Sequence, residues 1–217
     1  MSKEREAAAC PGKSKKKLGI LGGTFSPIHK GHVFLARFVK ENCGLEKVIL
    51  MPAGKPPHKL GEPIEAPRHR LAMARLAAEG IPGLEVSDLE MKKPDISYTY
   101  DTLTALRERF GDEWQLYFIT GTDELLGFEG WYRAEELMKE FSFIVGVRPG
   151  YERENIQEKA ESLRAKYGAD ILIVDLPAPD VSASEIRKRL YENKPVEDLL
   201  DEKVIRYIRK EGLYQSL

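Results

Sequence analysis

A chain of 217 residues, 42% apolar and 32% charged, suits one compact domain with a sizeable core and is too apolar to be disordered or low-complexity throughout. No apolar run approaches the ~18 residues that span a bilayer, and two cysteines, Cys10 and Cys43, form neither a disulfide framework nor a metal motif, so a reducing, cytoplasmic setting without a membrane is expected. Of the net charge of −1, residues 1–17 contribute six Lys/Arg against Glu4 and Glu6, leaving −5 for the rest and arguing against duplex nucleic acid as a partner.

The basic stretch lacks the apolar core of a secretory signal, so residues 1–16 read as a flexible tail and 17–217 as the domain. Gly12-Lys13-Ser14 imitates the end of a P-loop, but its first glycine would fall at Ala7 and it precedes the first strand instead of following it. From Leu18 the pattern alternates. Short apolar runs at 18–21, 48–51, 84–86, 116–120, 143–147 and 171–174 read as strands. Helical spacing fills 32–41, 68–79, 100–109, 135–140 and 156–167, and two more helices, 184–191 and 203–210, follow the last strand. Short continuous apolar strands between helices predict an α/β fold, a doubly wound parallel sheet whose ligands bind beyond the carboxyl ends of its strands. The proline-rich residues 55–67 read as a surface loop, and His69 as a surface helix residue without a role.

Two segments could carry chemistry. GGTFSPIHKGH, residues 22–32, follows the first strand and opens a helix. Gly22 and Gly23 let amides approach an anion, the helix N-terminus adds donors, and His29 and His32 share a face if both lie in the first turn. Zinc is poorly served by two histidines alone, and the glycine spacing is not that of a dinucleotide fingerprint. PDVSASEIR, residues 179–187, follows the last strand. Ser182 and Glu185 have capping-box spacing, and such an end also presents hydroxyls, amides and Arg187 to an anion.

Together these segments resemble the paired signature of the nucleotidyltransferase α/β phosphodiesterase superfamily, in its adenylyltransferase branch. Three more segments are similar to bacterial-type nicotinate-nucleotide adenylyltransferases: Pro56-Pro57-His58-Lys59, SYTYDTL at 97–103, and GTDEL at 121–125 followed by Trp131-Tyr132. The five segments stand in the expected order from Leu18 onward. Ser26 departs from the family's usual Asp, and Ala183-Ser184 from a more usual Ser-Thr pair.

The resemblance implies a single Rossmann-like domain that joins nicotinate mononucleotide to the AMP of ATP and releases pyrophosphate. It implies that His29 and His32 contact the ATP phosphates beside Gly22, Gly23, Thr24 and Phe25, with Ser182, Ser184 and Arg187 holding the triphosphate from the other side. His29, His32 and Arg187 would be catalytic, and Mg²⁺ would ride on the phosphates with few protein ligands. The pyridine nucleotide would meet His58, Thr99, Asp101, Gly121, Asp123, Trp131 and Tyr132, with Trp131 as a stacking face and Asp123 on a ribose hydroxyl. Without the family, Trp131 reads as a docking aromatic, Asp101 as a helix-start residue, and Lys55 and Lys59 as surface charge. The same chemistry on phosphopantetheine, or on glycerol phosphate with CTP, is the nearest alternative, and a silent nucleotide-binding module a more distant one. A homo-oligomer is compatible with the sequence, which does not fix the assembly state.

Overall fold

The structure, a computed structural model, describes residues 15–57, 64–93, 95–147, 153–177 and 181–215. His58, Lys59, Cys10 and most of the expected tail therefore lie outside the described residues. Six strands, β1 (Lys16–Gly23), β2 (Lys47–Pro52), β3 (Leu84–Val86), β4 (Trp114–Gly121), β5 (Ser142–Val147) and β6 (Asp170–Asp175), form one sheet in the order β3-β2-β1-β4-β5-β6. Each pairing among them is parallel. The strand order reverses between β1 and β4, so those two carboxyl ends diverge and open a crevice between them.

The side chains of each strand alternate between two cores, as a sheet covered on both faces requires. Leu21, Val48, Leu50 and Ile144 face α1 (Lys30–Asn42), α2 (Pro67–Ala78), α7 (Ala183–Tyr191) and α8 (Glu202–Glu211). Leu18, Ile20, Ile49 and Phe143 face α3 (Thr99–Phe110), α4 (Thr122–Gly127), α5 (Ala134–Glu140) and α6 (Arg153–Tyr167). All six expected strands are present, extended by one to four residues in every case but β3. The six residues of α4 follow β4 without a break and are too short to show helical periodicity.

Three expectations need correction. Lys16 belongs to the domain and not to the expected tail, because Lys16 and Lys17 pair with Trp114 and Gln115. Their ammonium groups lie over the rings of Trp114 and Tyr117, at 5.3 and 5.7 Å. His69 is buried, its Nδ1 2.9 Å from the Tyr207 hydroxyl of α8, which ties α2 to α8. Ser182 does precede α7, but its side chain makes no cap bond, and Glu185 turns instead to Arg189 one turn on, at 3.0 Å.

The largest fully buried side chain is Arg70 of α2. Its guanidinium donates to the carbonyls of Glu65 (2.9 Å), Thr24 (2.8 Å), Ala53 (2.6 Å) and Gly54 (3.0 Å). It thereby pins the loops that leave β1 and β2. Arg70→Met should leave those carbonyls buried without donors and cost about 3–5 kcal/mol. That corresponds to a fall of roughly 10 °C in thermal midpoint. A melting curve within 2–3 °C of the parent (about 1 kcal/mol) would show that Arg70 does not hold these loops.

Candidate active site

The first half of the site is the loop between β1 and α1. Gly22 and Gly23 end β1, and a side chain on either would crowd an aromatic ring. A Cβ on Gly22 would sit 3.1 Å from the Phe118 ring, and one on Gly23 2.7 Å from the ring of Phe25. Phe25 holds a left-handed backbone, φ 51°, in a loop where such strain is characteristic of functional segments. Its ring then meets His32 edge-on, with centroids 4.9 Å apart.

His29 caps α1 and His32 is the third residue of the helix, which stacks their rings at 3.6 Å. They share one face, as their spacing predicts. The His29 N–H donates to Nδ1 of His32 at 3.3 Å. An Nδ1 that accepts carries no proton, so the neutral ring keeps its proton on Nε2, the opposite edge. The helix end offers fewer amides than the sequence suggests, since Lys30 N–H is already bound to Leu199 O at 2.9 Å. The positive end of the α1 dipole, beside the stacked rings, favours an anion here.

The second half is α7, and the fold brings it against that loop. A Cβ on Gly31 would lie 3.3 Å from Val181, so the first turns of α1 and the α7 entry are in contact. Arg187 donates through Nη1 to Ser26 O at 2.8 Å and through Nη2 to Ser184 Oγ at 3.0 Å. Ser182 and Ser184 are exposed beside it. Two motifs some 150 residues apart in the chain thus form one cationic, hydroxyl-bearing wall.

Across the crevice lie the remaining candidates. Thr99 and Asp101 occupy the first turn of α3, Gly121 ends β4, and Asp123 is exposed in the first turn of α4. Tyr98 stacks on Tyr132 at 4.3 Å, joining the segment before α3 to the one before α5. Trp131 is half-buried, edge-on to Phe118 (5.9 Å) and Phe128 (4.8 Å), so one side docks on the core while part of it stays accessible. Tyr132 is 48% exposed. Arg133, also left-handed at φ 53°, lays its guanidinium over the Tyr100 ring at 3.9 Å and bonds Glu136 at 3.1 Å.

Sequence reasoning overlooked two residues behind these walls, Arg70 and Glu90. Burial pulls the Arg70 guanidinium below its usual pKa, with Tyr214 and Glu90 pushing back. Burial pushes the Glu90 carboxyl above the usual carboxylate range, opposed by a hydrogen bond from Thr102. Neither belongs to a motif, so only the fold reveals them. Among the described residues no three His, Cys, Asp or Glu side chains gather as a metal site.

The cytidylyltransferase-like family profile matches residues 20–189. A protein of Thermoanaerobacter sp., named a probable nicotinate-nucleotide adenylyltransferase, is 41% identical over 92% of this chain and 95% of its own. One of the same name from Moorella thermoacetica is 40% identical over 92% of each chain. Among solved structures, the Plasmodium falciparum nicotinic acid mononucleotide adenylyltransferase complexed with NaAD superposes with a TM-score of 0.75 at 22% identity, over 92% of this chain and 98% of that one, a likeness of fold. Identity near 40% along nearly the whole length is stronger than shared fold, and it places this chain in the cytidylyltransferase-like family, among the nicotinate-nucleotide adenylyltransferases.

Proposed function

We propose that the chain transfers AMP from ATP to nicotinate mononucleotide, giving nicotinate adenine dinucleotide and pyrophosphate, a step in NAD biosynthesis. The observation that carries this reading is the junction of the two phosphate-facing motifs, where Arg187 bonds Ser26 O beside the stacked His29–His32 pair. A phosphate oxygen of the mononucleotide attacks the α-phosphorus of ATP, and the bond from that phosphorus to the bridging oxygen breaks as pyrophosphate leaves. The nucleophile is already an anion, so no serine nucleophile or strong base is required. The protein has to align the two phosphates and offset the charge that grows on the leaving group.

His32, with its proton on Nε2, and Arg187 are the donors we assign to that charge, with His29 orienting His32. Gly22, Gly23, Thr24 and Phe25 shape the floor beneath the triphosphate, and Ser182 and Ser184 supply hydroxyls. Mg²⁺ belongs to this reading as a ligand of phosphate oxygens. Carried by the nucleotide, the ion would neutralise phosphate charge. On the opposite wall, we assign Thr99, Asp101, Gly121, Asp123, Trp131 and Tyr132 to the pyridine nucleotide, and His58 joins them by resemblance alone. No described helix is long and apolar enough to cross a membrane, and the free thiol of Cys43 suits the reducing cytoplasm we expect for the reaction.

Incubating the chain with ATP and nicotinate mononucleotide, phosphopantetheine or, with CTP, glycerol phosphate should give pyrophosphate only with the first; release with another acceptor alone would overturn the substrate assignment. His32→Ala should lower kcat by about 10²–10³, the effect of one lost transition-state donor, with little change in acceptor binding. Activity within about threefold of the parent is too small for such a donor and would remove His32 from its role. Arg187→Lys should also impair kcat, since one ammonium cannot reach Ser26 O and Ser184 Oγ while facing a phosphate.

Nicotinate mononucleotide should be preferred over the nicotinamide form by roughly ten- to a hundredfold in kcat/KM. A pocket of donors suits a carboxylate, whereas an amide turns its own NH₂ on one of them and leaves it unpaired. The preference should survive Arg133→Ala, because that guanidinium is engaged by Tyr100 and Glu136, and should shrink in Trp131→Ala. Equal kcat/KM for the two mononucleotides would refute this account of the pocket.

A further inference from the structure

The Ala53–Gly54 peptide, just past β2, lies between two buried side chains of opposite charge. Its carbonyl, Ala53 O, accepts from Arg70 Nη1 at 2.6 Å. Its amide, Gly54 N–H, points to Glu90 Oε2 at 3.4 Å. One peptide dipole therefore lies along the field of a buried ion pair whose members do not touch. Glu90 is 8% exposed and Arg70 fully buried, so water screens the pair little.

Glu90 leads on to the pyridine side of the crevice. Its Oε1 accepts from Thr102 Oγ1, in the first turns of α3, at 2.8 Å. Ser97, just before α3, sends its N–H to Lys55 O at 3.1 Å. The fit at Gly54 is close, for a Cβ there would lie 2.4 Å from Glu90 O and 2.9 Å from Ser97 Oγ. Arg70 alone also reaches Thr24, on the ATP side. Among the described residues Glu90 bonds the Gly54 N–H and the Thr102 hydroxyl and not the β1–α1 loop, so its influence falls on one half of the site.

We propose that Glu90 is a positioning residue for the pyridine-nucleotide half of the site, holding the loop after β2 and the start of α3 together through the Ala53–Gly54 peptide. Which nucleotide is affected rests on the adenylyl-transfer reading; the contact itself does not. Glu90 touches no substrate. Its carboxylate fixes the spacing between Gly54–Lys55 and Ser97–Thr99, and so the place where Thr99 and Asp101 meet the ligand.

Glu90→Gln tests this in the full chain. An amide presents one NH₂ where the carboxylate accepted, and it withdraws the charge that faces Arg70 across the peptide. KM for nicotinate mononucleotide should rise about tenfold, with KM for ATP and kcat changed by no more than about twofold. In the substrate-free variant, amide exchange at Gly54 and Ser97 should quicken by about tenfold relative to amides in β4. Thr102→Val, which removes one hydroxyl and no charge, should move both readouts in the same direction by about two- to fivefold and serves if Glu90→Gln does not fold. Unchanged exchange in both variants, or equal increases in the two KM values, would overturn the proposal. If the parent releases no pyrophosphate with nicotinate mononucleotide, the functional reading fails while the exchange measurement still decides the clamp.

Discussion

Arg70 is fully buried and among the described residues no carboxylate bonds it, so main-chain carbonyls replace the hydration its guanidinium gives up. Those carbonyls can converge only if the chain leaves β1 and β2 along particular paths, and these are the paths that build the site. Thr24 O belongs to the β1–α1 loop, Ala53 O and Gly54 O to the segment after β2, and Glu65 O to the approach to α2. Arginine suits this position because its planar fork carries five donors in fixed directions, where lysine would supply one compact charge.

A parallel sheet delivers every strand to the same edge, so loops distant in sequence meet there without a dedicated scaffold. The reversal of strand order between β1 and β4 separates them into two walls. Phe118 of β4 stands between those walls. Its ring underlies Gly22 on one side and meets Trp131 on the other. A change in either wall is thus felt at one aromatic side chain, and aromatic rings pack with little slack.

Periodicity made the strands and long helices legible because their apolar residues repeat along the chain, and the two motifs at residues 22–32 and 179–187 were legible because glycine, histidine and arginine cluster there in order. What stayed hidden is long-range. Arg70 and Glu90 lie in stretches that read as an ordinary helix and a loop, and their meaning comes from carbonyls and amides that every residue possesses. His69 looked like surface because Tyr207, which covers it, lies 138 residues further on. The cap expected from Ser182 and Glu185 failed for a local reason. A carboxylate one turn before an arginine has a second partner available, and spacing alone does not say which it takes.

Ser26 shows what the site asks of a position that departs from family habit. Its side chain is buried, 3.2 Å from the Tyr214 hydroxyl, and it accepts the Glu65 N–H at 3.4 Å. Tyr214 in turn donates its own N–H to Glu65 Oε1 at 3.2 Å, closing a ring of contacts that fastens the chain beyond α8 beneath the β1–α1 loop. Burial holds the Tyr214 phenol well above its usual pKa, so it stays protonated and able to donate. The group that meets Arg187 is the Ser26 carbonyl, which any residue offers. An aspartate here could accept from the same phenol, but it would bring a second carboxylate close to Glu65. Serine keeps the hydroxyl contact without that repulsion, and Arg187 keeps its anchor in the main chain.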